Sequence, residues 1–166
     1  MLKDISINVG KEFRFRAIER HLSFDMGSDV SELELLMKAE KPKYFLRETP
    51  KHKVTVSPFL IQETPVTVVQ YQQFVISTNY VSVVDTCGSG SLWDGQKWIE
   101  KEGVSWSDTL TAPIGKALSS VPVTRIFFED ARKFCEWFNE YLPSDLRAQG
   151  YVARLPTEAE RELISS

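Results

Sequence analysis

The chain has 166 residues, of which 42% are hydrophobic and 26% charged, and a formal net charge of −3. This composition is typical of a soluble globular domain with its own core, and the slight negative charge argues against a nucleic-acid partner. No apolar run approaches the roughly 20 residues of a membrane span, and the N-terminus lacks the apolar core of a signal peptide. We therefore expect a cytoplasmic chain that binds neither nucleic acid nor membrane.

The N-terminal third predicts short strands. Residues 13–18 alternate aromatic and basic side chains, the period of a half-buried strand. Residues 24–28 predict a second strand that runs into a turn at Gly27, a residue suited to unusual backbone angles. Residues 29–47 fit either a short helix or an insertion, and residues 53–61 predict strands on both sides of a proline.

Two amphipathic helices are predicted to carry the core. Thr67 and Gln70 form a capping box at the start of the first helix, and Pro143 ends the second. The first apolar face consists of Val69, Tyr71, Phe74, Val75 and Thr78. The second, between Glu129 and Leu142, consists of Ala131, Phe134, Cys135, Phe138 and Leu142, with Trp137 and Tyr141 at its edge. Two packed helices with short strands predict an α+β fold.

Residues 76–120 form a long loop region with little periodicity. An Asp94-Gly95 pair predicts a tight hairpin turn. Trp93, Trp98 and Trp106 either fix this loop to the domain or form an aromatic platform for a ligand such as a sugar.

The segment from Arg154 to Glu160 predicts the start of a helix. Thr157 is the N-cap, Glu160 completes a second capping box, and the macrodipole favours Glu158 in the first turn. A short strand is predicted just before it, over residues 150–154.

The sequence offers little chemistry. His21 and His52 are too far apart for a paired ligand motif, and His52 fits a hydrogen-bonded structural role. Cys135 fits a small buried hydrophobic residue and Cys87 an exposed, unreactive thiol. We therefore assign no catalytic, cofactor-binding or metal-binding residue.

Five motifs in order resemble the formylglycine-generating-enzyme (sulfatase-modifying factor) family, and the match runs from about Phe13 to Glu162. The motifs are Phe24–Ser28; Glu48–Val54; Thr64–Thr67 with Gln70, Tyr71 and Phe74; Val121–Val123 with Glu129–Ala131 and Cys135–Trp137; and Arg154–Glu160. The last is the most specific. The chain differs from the family pattern at Arg161, where the family usually has tryptophan, and at Val68-Val69, where the family usually has Thr-Asn.

The resemblance implies a fold similar to the C-type-lectin-like domain, with two main helices packed on short mixed strands. Family enzymes oxidise a protein cysteine to formylglycine with copper held by a cysteine pair, and calcium lies nearby. The family's copper and calcium ligands follow the Arg154 motif, and neither Cys87 nor Cys135 matches them. The resemblance therefore implies no cofactor in this chain.

We expect residues 1–166 to be a single domain of this type that lacks its C-terminal part. The expected role is a non-catalytic binding or scaffold module; the alternative is half of a copper-dependent oxidase acting on protein cysteine, completed by another chain. Apolar surface on the helix beginning at Glu129 and on the Arg154 strand is expected to require a protein partner or self-association. Arg154 and Glu158 are expected to be buried polar anchors.

Overall fold

A computed structural model describes residues 3–31, 48–93, 96–108 and 120–165. The chain forms two compact units, one from Lys3 and the described residues of 17–60 and 156–165, and the other from the described residues of 4–16 and 61–155. Most of the predicted helix or insertion at 29–47 and the Asp94-Gly95 turn lie outside the described residues. Within them, no helix has the length and apolar character needed to cross a membrane.

The first unit is built on two antiparallel strands. β3 (Leu22–Met26) pairs with β4 (His52–Val56) so that Leu22 lies opposite Val56. Both strands fall where the sequence predicts them. The chain leaves β3 through Gly27, whose φ of +87° confirms the predicted unusual backbone geometry.

Helix α5 (Glu158–Ser165) contacts both strands of the first unit. The carboxylate of Glu162 accepts a hydrogen bond of 2.8 Å from the backbone N–H of Gly27. A Cβ atom at Gly27 would lie 2.3 Å from the backbone oxygen of Glu48, so this turn has no room for a side chain. Glycine is therefore required both by its φ and by the close approach of the backbone.

The second unit includes most of a three-stranded sheet. β1 (Ile5–Asn8) and β2 (Glu12–Ile18) form an antiparallel pair with Ile5 opposite Phe15, and β5 (Phe59–Gln62) completes the order β1-β2-β5. The alternation in β2 buries Phe13 completely while Arg14 stays exposed. The sheet thus presents its aromatic face to the core.

Helix α1 (Val68–Thr78) begins with the predicted capping box. The backbone N–H of Thr67 donates to the Gln70 side chain at 3.0 Å, and that side chain donates to the backbone oxygen of Glu12 at 2.8 Å. Gln70 therefore caps the helix and also joins it to β2. The predicted face is correct at Tyr71 and Phe74, whereas Val68 rather than Val69 is buried and Thr78 is exposed.

Helix α3 (Phe128–Phe138) is followed by a 3-10 turn (Asn139–Tyr141) and by helix α4 (Ser144–Ala148). Its buried face is rotated from the predicted one, since Trp137 is buried and not at an edge, while Ala131 and Cys135 are only half-buried. One apolar cluster combines side chains of α1, α3 and the sheet with others from α2 and the connecting segments: Ile7, Val9, Phe13, Val68, Tyr71, Phe74, Val84, Trp106, Val121, Phe134, Trp137, Phe138 and Leu142.

The predicted loop region also contains regular structure. Helix α2 (Val83–Cys87) is followed by β6 (Ser89–Trp93) and β7 (Trp98–Glu102), which pair antiparallel with Trp93 opposite Trp98. These strands are the arms of the predicted hairpin. By contrast, residues 151–157 form no strand, contrary to the prediction for 150–154.

Candidate functional site

Asp130 fixes the beginning of helix α3. Its side chain is fully buried and occupies the third position of the helix. One carboxylate oxygen accepts a hydrogen bond from the backbone N–H of Phe127 at 2.7 Å. The other accepts from the Tyr80 hydroxyl and from the backbone N–H of Val83, both at 2.9 Å. The carboxylate thus joins the start of α3 to the segment that leads into α2.

Two tyrosines lie close to this carboxylate. Burial, aided by the hydrogen bond to Asp130, raises the pKa of Tyr80 to about 12. Burial also raises the pKa of Tyr71 well above its ordinary value, and its hydroxyl has no hydrogen-bond partner in the described part of the chain. Both phenols stay neutral near pH 7, so neither is suited to act as a base.

An open groove of about 220 Å³ lies between helix α3 and residues 153–155. We call it the α3 groove, and its lining residues are Phe128, Arg132, Cys135, Glu136, Ala153, Arg154 and Leu155. Phe128 is 73% exposed, which is unusual for a phenylalanine. The groove lies on the two segments for which the sequence predicts uncovered apolar surface.

Asn139 holds the two walls of the α3 groove together. Its side-chain oxygen accepts from the backbone N–H of Ala153 at 2.7 Å, and its side-chain nitrogen donates to the backbone oxygen of Ala153 at 3.1 Å. The same nitrogen donates to the backbone oxygen of Cys135 at 2.8 Å. One amide therefore fixes Ala153 against the end of α3.

The rim of the groove is charged. Arg132 pairs with Glu129 at 2.6 Å and also with Glu136, which itself pairs with Lys133 at 3.0 Å. Arg154 donates to the backbone oxygen of Leu155 at 3.1 Å. The lining thus combines an apolar floor with two guanidinium groups and one carboxylate that already has cationic partners.

The tryptophans predicted as a platform have different surroundings. Trp106 is buried in the core, where its ring centroid lies 5.1 Å from that of Tyr71. Trp98 is 67% exposed on β7, and the side chain of Trp93 lies outside the described part. Trp106 therefore fixes its segment to the domain, and a sugar platform stays a prediction for Trp98.

The motif at the start of α5 is a pair of reciprocal hydrogen bonds. The backbone N–H of Thr157 donates to Glu160 at 2.7 Å, and that of Glu160 donates to the Thr157 hydroxyl at 3.2 Å. Glu160 is buried, as expected for a capping group in the first unit. Arg154 and Glu158 are exposed, so the prediction of buried polar anchors is wrong. Because the Arg154 guanidinium and the Glu158 carboxylate are in contact with water, neither has the free-energy cost of a buried charge.

The described residues do not fit the metals that the resemblance implies. Among them, no three His, Cys, Asp or Glu side chains come together as a ligand group. Cys87 is exposed, whereas Cys135 is half-buried and burial raises the pKa of its thiol. Because copper binds the thiolate, the raised pKa disfavours the form of Cys135 that would bind copper. The Nδ1 atom of His52 lies 2.9 Å from the backbone oxygen of Pro50, and this hydrogen bond agrees with the predicted structural role.

Asp130, Tyr80 and Asn139 were not identified from the sequence as site residues. An acidic residue at the third position of a helix is a recognisable capping signal, and it is present at Asp130. No local pattern indicates Tyr80 or Asn139, because their partners lie 50 and 14 residues away in the chain.

Comparison with known proteins supports the resemblance. The family description "Sulfatase-modifying factor enzyme 1-like domain" matches residues 23–166. Three similar curated proteins are named formylglycine-generating enzymes. The Mycobacterium tuberculosis protein is 26% identical over 148 residues, 70% of this chain and 48% of that protein. The Streptomyces coelicolor protein is 28% identical over 130 residues, which are 64% of this chain and 39% of that protein. The Mus musculus protein is 25% identical over 134 residues, which are 69% of this chain and 32% of that protein.

The chain therefore spans about half or less of the length of these relatives. Helices α1 to α5 and the two capping boxes lie within the matched residues, whereas strands β1 and β2 precede them. Because the family match covers most of the chain, the protein belongs to the family of sulfatase-modifying factor enzyme 1-like domains.

Proposed function

We propose that this part of the chain is a non-catalytic binding scaffold of the sulfatase-modifying-factor type, with the α3 groove as its binding surface for a protein partner. The observation that carries the proposal is the groove itself, which is apolar and bordered by a phenylalanine that is 73% exposed. Exposed apolar surface of this kind marks interaction sites in soluble proteins.

The buried polar groups support a scaffold role. Asp130 and Gln70 use their side chains to bond backbone groups at helix starts, and Glu160 does the same in the first unit. Groups used in this way are unavailable for proton transfer or for holding a substrate. Asp130 in this way stabilises the start of α3, the helix that forms one wall of the groove.

The alternative is that these residues form part of a copper-dependent oxidase that acts on a protein cysteine and is completed by another polypeptide. It is favoured by the names of the three relatives, which are formylglycine-generating enzymes. In that case the same scaffold would support a site whose metal ligands come from elsewhere.

An activity assay tests the non-catalytic role of this chain by itself. The purified chain is incubated with copper, dioxygen, a thiol reductant and a cysteine-containing sulfatase-type peptide, and aldehyde formation is followed by mass spectrometry. We expect no aldehyde. The control is one of the full-length bacterial relatives in the same buffer, and aldehyde formation by this chain alone would refute the non-catalytic role.

A further inference from the structure

We propose that the exposed face of the β6–β7 hairpin binds an extended polypeptide segment that carries arginine side chains at alternate positions. We call this surface the hairpin face, and it consists of Ser89, Ser91, Trp98, Glu100 and Glu102. It is a second binding surface, so the proposal does not depend on the α3 groove. It follows from the strand register, the charges of this face and its exposed indole ring.

The strand register places the side chains of the hairpin face on one side of the hairpin. Residues that lie directly opposite each other share a face, as Ser91 and Glu100 do. The intervening position, Gly90, belongs to the other face, where an added Cβ atom would lie 3.3 Å from the side chain of Val84. Since Val84 is buried, that other face packs on the domain and the hairpin face points to solvent.

The hairpin is attached to the domain at two places. The backbone N–H of Gly103 donates a hydrogen bond of 2.8 Å to the backbone oxygen of Gly88, where the two strands begin and end. The Nε atom of Arg125 donates to the backbone oxygen of Ser91 at 3.3 Å. A surface held in this way loses less conformational entropy when a ligand binds.

Glu100 carries a negative charge that has no cationic partner among the residues the structure describes. The Ser89 hydroxyl donates to one of its carboxylate oxygens at 3.0 Å, and the Ser91 hydroxyl donates to the other at 3.3 Å. These two neutral donors orient the carboxylate, and each oxygen can still accept a further hydrogen bond. An oriented carboxylate with both oxygens available matches the two parallel N–H groups of a guanidinium.

Trp98 supplies a flat apolar surface next to this carboxylate. It has contacts within the chain, yet 67% of its surface stays exposed, although tryptophan is on average a highly buried residue. Trp98 and Glu100 are two positions apart on one strand, which is about 7 Å, so a single planar cation can contact both. Tryptophan attracts cations more strongly than other aromatic residues, and guanidinium groups stack on its ring. The pair therefore favours arginine over a neutral or anionic group.

Glu102 repeats the negative charge two positions further along the same face. Within the described ranges its carboxylate has no cationic partner either, and Lys101 lies opposite Gly90 on the other face. Alternate side chains of an extended polypeptide are also about 7 Å apart. An Arg-x-Arg segment thus places one guanidinium at Glu100 and the next at Glu102. Because exposed ion pairs are individually weak, two linked arginines should bind more tightly than one.

An NMR titration of the ¹⁵N-labelled chain tests the proposal. The indole N–H signal of Trp98 is assigned by its loss in a Trp98→Phe variant. Three blocked peptides are added at millimolar concentration: Arg-Ala-Arg, Lys-Ala-Lys and citrulline-Ala-citrulline, the last being the neutral analogue of the first. We expect Arg-Ala-Arg to shift the Trp98 signal saturably, Lys-Ala-Lys to bind several-fold more weakly, and the citrulline peptide to leave the signal unchanged.

A matched pair of variants tests the location. Glu100→Gln removes the charge but keeps the shape of the side chain, and it should weaken the binding of Arg-Ala-Arg several-fold. Glu140→Gln is the control, because Glu140 is an exposed glutamate on the 3-10 turn that follows α3. It should leave the affinity unchanged. Both positions are exposed, so both variants should keep the circular dichroism spectrum of the parent chain.

The outcomes are distinct. Equal shifts with the arginine and citrulline peptides, or an unchanged affinity in Glu100→Gln, would overturn the role of the carboxylates. Equal affinity for the arginine and lysine peptides would overturn the preference for guanidinium. A saturable shift with neutral saccharides, and none with Arg-Ala-Arg, would show a sugar platform in place of a peptide site. Aldehyde formation in the activity assay would refute the non-catalytic role, yet leave these binding results standing.

Discussion

Replacing Asp130 by alanine should be among the most destabilising single substitutions in the chain. The change removes the acceptor of three hydrogen bonds and leaves the N–H groups of Phe127 and Val83 and the hydroxyl of Tyr80 without it. A buried donor left unpaired costs about 1–3 kcal/mol. Tyr80 is only half-buried and can turn to water, so we expect a loss of about 3–5 kcal/mol in the free energy of unfolding.

Urea unfolding followed by tryptophan fluorescence measures this loss, because Trp106 and Trp137 are both buried in the core. Glu129→Ala is the matched control at the neighbouring position. Glu129 is exposed and paired with Arg132 at the surface, so its removal should change the unfolding midpoint little. Tyr80→Phe should show a coupling with Asp130→Ala of about 1 kcal/mol in a double-mutant cycle. If Asp130→Ala unfolds at the same urea concentration as Glu129→Ala, the carboxylate does not hold α3 as described.

Three further predictions concern single groups. Tyr71→Phe should leave stability unchanged or raise it by up to about 2 kcal/mol, since the hydroxyl it removes is buried without a partner; a clear loss in urea unfolding would reveal a missed contact. Gly27→Ala should cost more than about 2 kcal/mol, whereas Gly150→Ala, with a φ of +81° and open space around it, should cost only about 1 kcal/mol; equal losses would contradict the clash at Gly27. The native pKa of Tyr80, about 12, exceeds its unfolded value of 10.0, so its contribution to stability is complete below pH 10 and is lost as the pH rises towards 12. Urea midpoints measured across this range should fall, and should fall less in Tyr80→Phe.

Features that depend on near neighbours in the chain could be predicted from the sequence. The capping boxes at Thr67 and Thr157 each join two residues three positions apart, and both form as the spacing indicates. The strand around Val54 alternates with a period of two, and both this strand and the one around Phe24 appear where predicted. Such patterns succeed because the backbone hydrogen bonds they satisfy are local.

The remaining features depend on how distant segments meet. Helical periodicity predicts that one face of a helix is buried, but it does not fix the rotation of the helix about its axis. Trp137, predicted at the edge of the buried face, is therefore buried, and Cys135, predicted within that face, is only half-buried. Arg154 was assigned to the interior from its motif alone, yet it lies at the rim of an open groove. One wall of that groove is held by the hydrogen bond between Asn139 and Ala153, 14 residues later, and no local pattern encodes this contact.

The hydrogen bond between Gly27 and Glu162 has a consequence for protein synthesis, because its partners are 135 positions apart. At about 5–20 residues per second, a ribosome needs roughly 7–27 s to add the second partner after the first. During that time β3 and β4 can pair, but the helix that covers them has not yet been translated. The second unit is continuous from Ile61 to Leu155, and all its segments precede that helix. The nascent chain therefore completes its second unit before its first, and chaperones have a window in which the uncovered hairpin is accessible.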